Sequence, residues 1–125
     1  MKWLIKESAD LPTFLASDGC NLSEVIHPDN DRTASGFSIA RASIAPGQST
    51  KPHYLDFVEV YYLLSGQGLM HLDDAVFEIG AETCVYIEPG TRQWLENPSQ
   101  DQKISFLCIC HPAYDPSGDH TLAQK

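Results

Sequence analysis

The sequence predicts an all-β domain, and three observations support that reading. Turn-forming residues recur at short spacing: His27-Pro28-Asp29-Asn30, Ala45-Pro46-Gly47, Ser65-Gly66-Gln67-Gly68, Asp73-Asp74, Glu88-Pro89-Gly90 and Asn97-Pro98. Between them lie short runs rich in Ile, Val, Phe and Tyr, side chains that pack well on a pleated surface. No segment keeps an apolar i, i+3, i+4, i+7 pattern over three turns, so no long amphipathic helix is expected. Many short strands joined by Gly and Pro turns mean a sandwich or a barrel.

The elements follow in chain order. Residues 7–16 (ESADLPTFLA) hold a short helical turn at most. Strands are expected over FSIARASI (37–44), FVEVYYLL (57–64), CVYI (84–87) and ISFLCIC (104–110). The tail after Pro112, AYDPSGDHTLAQK, is polar and is expected to run over the surface or fray. His53, Leu55, Phe57, Glu59, Tyr61 and Leu63 have the same parity, which puts them on one face of an extended chain. A His and a Glu among apolar residues on one face point into a barrel with a pocket, rather than into a solid sandwich core.

A chain of 125 residues is long enough for one domain whose core needs no covalent staples. Eight Lys and Arg stand against 17 Asp and Glu, a net charge of -9. That balance argues against nucleic acid and anionic membrane surfaces, both of which reward basic residues. No apolar run is long enough to span a bilayer. The opening segment MKWLIKESADLP has neither an extended apolar stretch nor a small-residue cleavage site. Cys20, Cys84, Cys108 and Cys110 form no C-x-x-C pair. They read as reduced thiols, and the expected compartment is the cytoplasm.

Two spaced motifs then place the fold more closely. Gly47 is followed by five residues and His53; Leu55 comes two positions on, Glu59 after three more residues, and Gly66 after a further six. Downstream, Gly80 opens a strand, Glu88-Pro89-Gly90 makes a turn, Gln93 follows after two residues and Asn97 after three more. This pattern resembles the two motifs of the cupin superfamily, with Leu55 and Gln93 at positions where that family carries histidines. The resemblance covers residues 36–113, with an N-terminal extension, 1–35, adding strands and a polar C-terminal tail, 114–125, in a single domain. It implies a double-stranded β-helix, a jelly-roll barrel of two antiparallel sheets, and a homodimer.

The resemblance also implies a site. In cupins three His and one Glu hold a divalent metal on the inner wall, and here the candidate ligands are His53, Glu59 and Gln93 for Zn, Mn, Ni or Fe. Leucine cannot ligate, and a Gln carbonyl is a weak ligand for a transition metal. Two readings stay open: a reduced metal site, or a polar pocket without physiological metal in which His53 and Glu59 bond each other or a ligand. A third reading is a metal-free pocket enzyme with Glu59 as general base and Tyr61 or His53 as acid, since a carboxyl in an apolar barrel has a raised pKa. Gln93, Tyr86 and Arg41 are candidate ligand-binding residues. Arg41 faces the pocket if Phe37 and Ile39 do, and is exposed if Ala40, Ala42 and Ile44 do.

The other chemistry-bearing residues read as structural. Cys108 and Cys110, two apart on a strand, are small buried hydrophobes. His71 sits at the surface or rim, His27 and His111 are exposed, and Trp94 points away from Gln93. No EF-hand loop, phosphate loop or G-x-S-x-G motif is present. The expected function is binding of a small polar metabolite in the barrel, with metal-dependent catalysis. The alternatives are a non-enzymatic module for a sugar or small acid, and a metal-free acid–base enzyme using Glu59.

Overall fold

A computed structural model describes residues 2–122. Eleven strands form two antiparallel sheets. They are β1 Phe14–Leu15, β2 Asn21–Ile26, β3 Ser38–Ile44, β4 His53–Leu55, β5 Val58–Ser65 and β6 Gln67–Leu72, then β7 Ala75–Gly80, β8 Cys84–Ile87, β9 Gln93–Glu96, β10 Ile104–His111 and β11 Asp119–Thr121. The first sheet runs β1-β2-β3-β10-β5-β8 and the second β11-β4-β9-β6-β7. The only helical pieces among the described residues are single 3-10 turns at Ser8–Asp10 and Pro116–Gly118. The all-β jelly-roll expectation therefore holds.

Alternation along the strands fills the space between the sheets. Tyr61 and Leu63 of β5 and Ile104 and Phe106 of β10 come from one sheet, Met70 of β6 and Leu95 of β9 from the other. All six are at most 1% exposed. The Tyr61 and Phe106 rings stack with centroids 5.1 Å apart. Burying such side chains contributes roughly 1.5–3 kcal/mol each, so this cluster is the principal anchor between the sheets.

The parity reading of residues 53–63 meets one correction. All six side chains are buried, but not on one strand. The chain bends at Asp56-Phe57 and crosses from β4 in the second sheet to β5 in the first. Both strands turn the same parity inward, so the pattern survives the crossing. His27, expected in solvent, is 6% exposed. Its Nε2–H donates to the Tyr114 carbonyl at 2.8 Å, and its Nδ1 accepts the Asp29 N–H at 3.0 Å. Two hydrogen bonds offset the cost of burying the imidazole. The polar tail does more than cover the surface: Asp119–Thr121 pairs with His53–Leu55 and extends the second sheet.

Two motif residues hold loops rather than chemistry. Gly66 has φ +87°, and a Cβ there would lie 2.6 Å from the Lys103 carbonyl oxygen, so only glycine fits the β5–β6 turn. Asn97 is 1% exposed. Its Nδ2 donates to the carbonyls of Ile44 (3.1 Å), Ala45 (3.3 Å) and Gln102 (2.8 Å), and its Oδ1 accepts the Ser99 N–H. It thereby ties the end of β3 to the β9–β10 connection. Asn97→Ala strands those buried carbonyls and is expected to cost about 3 kcal/mol, read as a lower urea midpoint at unchanged slope. A loss under about 0.5 kcal/mol would mean the latch is dispensable.

Candidate functional site

The inner face changes character along β5. Leu63 and Tyr61 lie in the core cluster, but Glu59 lines a cavity of about 290 Å³. The barrel supplies Glu59 from β5, Cys108 and Cys110 from β10, Ser38 and Ala40 from β3, and His53 and Leu55 from β4. The two chain ends close the rest: Phe14 and Leu15 of β1, the Ser17-Asp18 turn after it, Tyr114, and Asp119 at the start of β11. A mostly apolar wall with a few polar groups is the usual makeup of a small-molecule site.

Two buried polar side chains, Glu59 and His53, line it, and a third, Gln93, is the strand partner of His53. Glu59 is 6% exposed and pairs in register with Cys110 on one side and Ile87 on the other. Its Oε2 accepts a weak hydrogen bond from the Cys110 thiol at 3.8 Å, while Oε1 has no partner. His53 stands in register with Gln93 across β4 and β9. The His53 Nδ1–H donates to the Lys51 carbonyl at 2.8 Å, which leaves the Nε2 lone pair as an acceptor when the ring is neutral. Gln93 is 1% exposed, and its Oε1 has no partner.

Glu59 holds its proton far longer than an ordinary carboxyl does. Burial pushes its pKa up from 4.5 to about 8, and the negative charges of Asp18 and Asp119 push the same way. Hydrogen bonds from Cys110 and Gln93 oppose the rise without cancelling it. Near neutral pH the group is therefore chiefly a carboxylic acid, able to donate. Burial also raises the thiols of Cys20, Cys108 and Cys110 above their usual range. They are free, neutral sulfhydryls rather than nucleophiles or thiolate ligands.

The resemblance implies a divalent metal, which needs a matching donor set. A catalytic transition-metal centre uses three strong protein ligands and an open position. Among the described residues no three His, Cys, Asp or Glu side chains are grouped to hold an ion. His53 and Glu59 are two strong donors and the Gln93 amide oxygen is a weak one, while Leu55 packs as an apolar residue at 3% exposure. This set does not fit such a centre.

The remaining candidates separate cleanly. Arg41 is exposed: Ala42 and Ile44 are buried and Ala40 faces the cavity, so strand alternation turns Arg41 outward. The ligand-binding role expected of it is corrected. Tyr86 is 59% exposed beside Val60 on the outer face, which corrects its expected role too. Tyr61 sits one inward position beyond Glu59, packed against Phe106 and away from the cavity wall. His71 is on the outer face, stacked on Trp94 at 3.4 Å and hydrogen-bonded to Glu96 at 3.0 Å. Asp18, Tyr114 and Asp119 escaped the sequence reading. They lie outside both motifs, and the only local hints are the Asp18-Gly19 turn and the acidic Asp119 in a tail read as surface.

Comparison with known proteins matches these features. Residues 40–110 fit the model of the cupin domain family. An uncharacterised protein of Methanocaldococcus jannaschii is 31% identical over 115 residues, covering 91% of this chain and 90% of that one. L-ectoine synthase of Bordetella parapertussis is 24% identical over 98 residues, 72% of this chain and 73% of that one. The polyketide cyclase RemF of Streptomyces resistomycificus superimposes with a TM-score of 0.81 at 19% identity, over 100% of this chain and 87% of that one. No helix among the described residues is long and apolar enough to cross a membrane.

Proposed function

This chain belongs to the cupin domain family, and on that premise we propose that it is a small-molecule enzyme working by proton transfer, with Glu59 as acid and His53 as base. One observation supports this most strongly: a buried carboxyl whose Oε1 lacks any partner shares a cavity with an imidazole whose Nδ1 is tied back. An unpartnered buried polar atom is costly unless a ligand uses it. Two relatives, a synthase and a cyclase, bear enzyme names.

The chemistry follows from the side chains present. A substrate carrying a carbonyl or hydroxyl group enters past Phe14 and Leu15, which line the cavity and are themselves exposed. His53 Nε2 takes a proton from carbon beside that group, and the protonated Glu59 gives one to the oxygen. A carbonyl substrate becomes an enol, which takes the His53 proton at its other carbon as the O–H proton returns to Glu59, an isomerisation. From a hydroxyl substrate water leaves, and the proton on His53 passes back to Glu59 through solvent. His53 is held in register with the buried Gln93 through the β4–β9 pair.

The test is incubation with a metabolite extract in D₂O, followed by mass spectrometry. A small molecule should be consumed or gain deuterium. Glu59→Gln and His53→Gln should each cut that rate by about 10²–10⁴. A ligand held but never changed would leave a binding module instead. Near-stoichiometric metal in untagged protein, lost in both Glu59→Ala and His53→Ala, would replace the proposal with a metal centre.

A further inference from the structure

We infer that the cavity selects a positively charged small molecule, an ammonium group on an apolar body, and rejects carboxylates and phosphates. The inference rests on the proposed small-molecule function of this site and adds the sign of the substrate's charge. Four carboxyl groups line the cavity: Asp18, Glu24, Glu59 and Asp119. Among the described residues, no Lys or Arg lines it. Anion sites are built from those two residues or from clustered backbone N–H groups.

The carboxyls are placed as a ligand site rather than as a solvated acidic patch. Asp119 Oδ2 is fixed by the Tyr114 hydroxyl at 2.6 Å and the Ser17 hydroxyl at 3.1 Å. Asp18 Oδ1 accepts the Cys20 N–H at 3.2 Å. Both are near enough to Glu59 for their charge to be felt there. None of the three has a Lys or Arg partner among the described residues. The independent sign of a ligand is Glu59 itself, 6% exposed, lining the cavity, with Oε1 unpartnered. An ammonium group offers an N–H donor to the unpartnered Glu59 Oε1 and a positive charge to the carboxylates of Asp18 and Asp119. A carboxylate placed there would face like charge and an unpaired acceptor, at a site of reduced dielectric where repulsion is strong. Phe14, Leu15, Leu22 and Leu55 then cover an apolar body.

The experiment uses matched probes: benzylammonium, benzyl alcohol and benzoate, with the same triples on cyclohexylmethyl and indolylmethyl bodies. Ligand-observed NMR gives the affinities for wild type and for the Asp18→Asn, Asp119→Asn double variant, whose folding is verified by its amide spectrum. Ammonium probes should bind at least about tenfold tighter than their carboxylate counterparts in wild type, and the gap should collapse in the double variant. Equal or tighter carboxylate binding, or a preference unchanged in the double variant, overturns the charge assignment while leaving a small-molecule site. Absence of binding by all nine probes overturns both that assignment and the proposed function.

Discussion

Wild-type protein is expected to lose several kcal/mol of stability between pH 5 and pH 8.5, about 5 at most, and the Glu59→Gln variant is expected to lose almost none. The carboxyl of Glu59 has a pKa of about 8 in the folded chain against 4.5 when free of its surroundings. Between those values the folded state keeps a proton that the unfolded state has released. Stability then falls as pH rises, by about 1.4 kcal/mol per pH unit, until the folded group also ionises. Below pH 4.5 the group is protonated in both states and has no effect. Above about 8 the full penalty is present. The glutamine carries no charge, so the variant is expected to match wild type near pH 5 and exceed it at pH 8.5. The buried thiols are raised above their usual 9 and act only at higher pH. Asp31 and Asp115 are lowered from 3.8, so their stabilising effect is already complete at pH 5. The difference between wild type and Glu59→Gln across this window isolates Glu59, because every other titratable group is common to the two proteins. Urea unfolding at five pH values with the slope held common is the measurement, and a wild-type profile flat from pH 5 to 8.5 would remove the basis for Glu59 as an acid.

The barrel was legible in the sequence because its determinants are local. The glycine turns and the period-2 alternation of β5 and β10 each show in a few consecutive residues, although the partners of Gly66 and Asn97 in the fold are distant in sequence. Period-2 parity also assigned His53 and Glu59 to the interior, while Gln93 was placed there by the motif resemblance. It left Arg41 undecided, because Phe37 and Ile39 compete with Ala40, Ala42 and Ile44 as the inward set, and small alanines give a weak signal. The structure resolves this by packing Ala42 under Phe106 and Leu22, its neighbours in register on β10 and β2, while Arg41 stays in solvent.

What the sequence concealed is long-range. Ser17 and Asp119 bond across 102 residues, and His27 reaches Tyr114 across 87. Such pairs leave no mark of spacing, so the ends of the chain read as an extension and a polar tail. Folded, they form the mouth of the cavity and set its charge. The motif positions explain how a proton-transfer pair is held. The flanking segments explain why Glu59 stays protonated, since two of the causes of its raised pKa, Asp18 and Asp119, come from them.

That division leads to the second large effect, on activity. If Glu59 must donate a proton, turnover should be level below about pH 8 on its basic side and fall tenfold per pH unit above it, tracking loss of the acid form. Removing the flanking charges with Asp18→Asn and Asp119→Asn takes away two of the influences that hold the proton in place. Burial, the largest, remains. The fall should then begin at lower pH, while the plateau rate at pH 6 changes less than the about 10²–10⁴ lost in Glu59→Gln. Raised salt should move the wild-type limb in the same direction but less, because charges within a folded cavity are screened weakly. A profile whose basic limb does not respond to the two aspartates would assign the titration to another group. Direct titration of Glu59 by ¹³C carboxyl NMR gives the same value without any substrate, so agreement between the two curves ties the rate to this side chain, and a Glu59 signal titrating near 4.5 would return it to the role of an ordinary ionised residue.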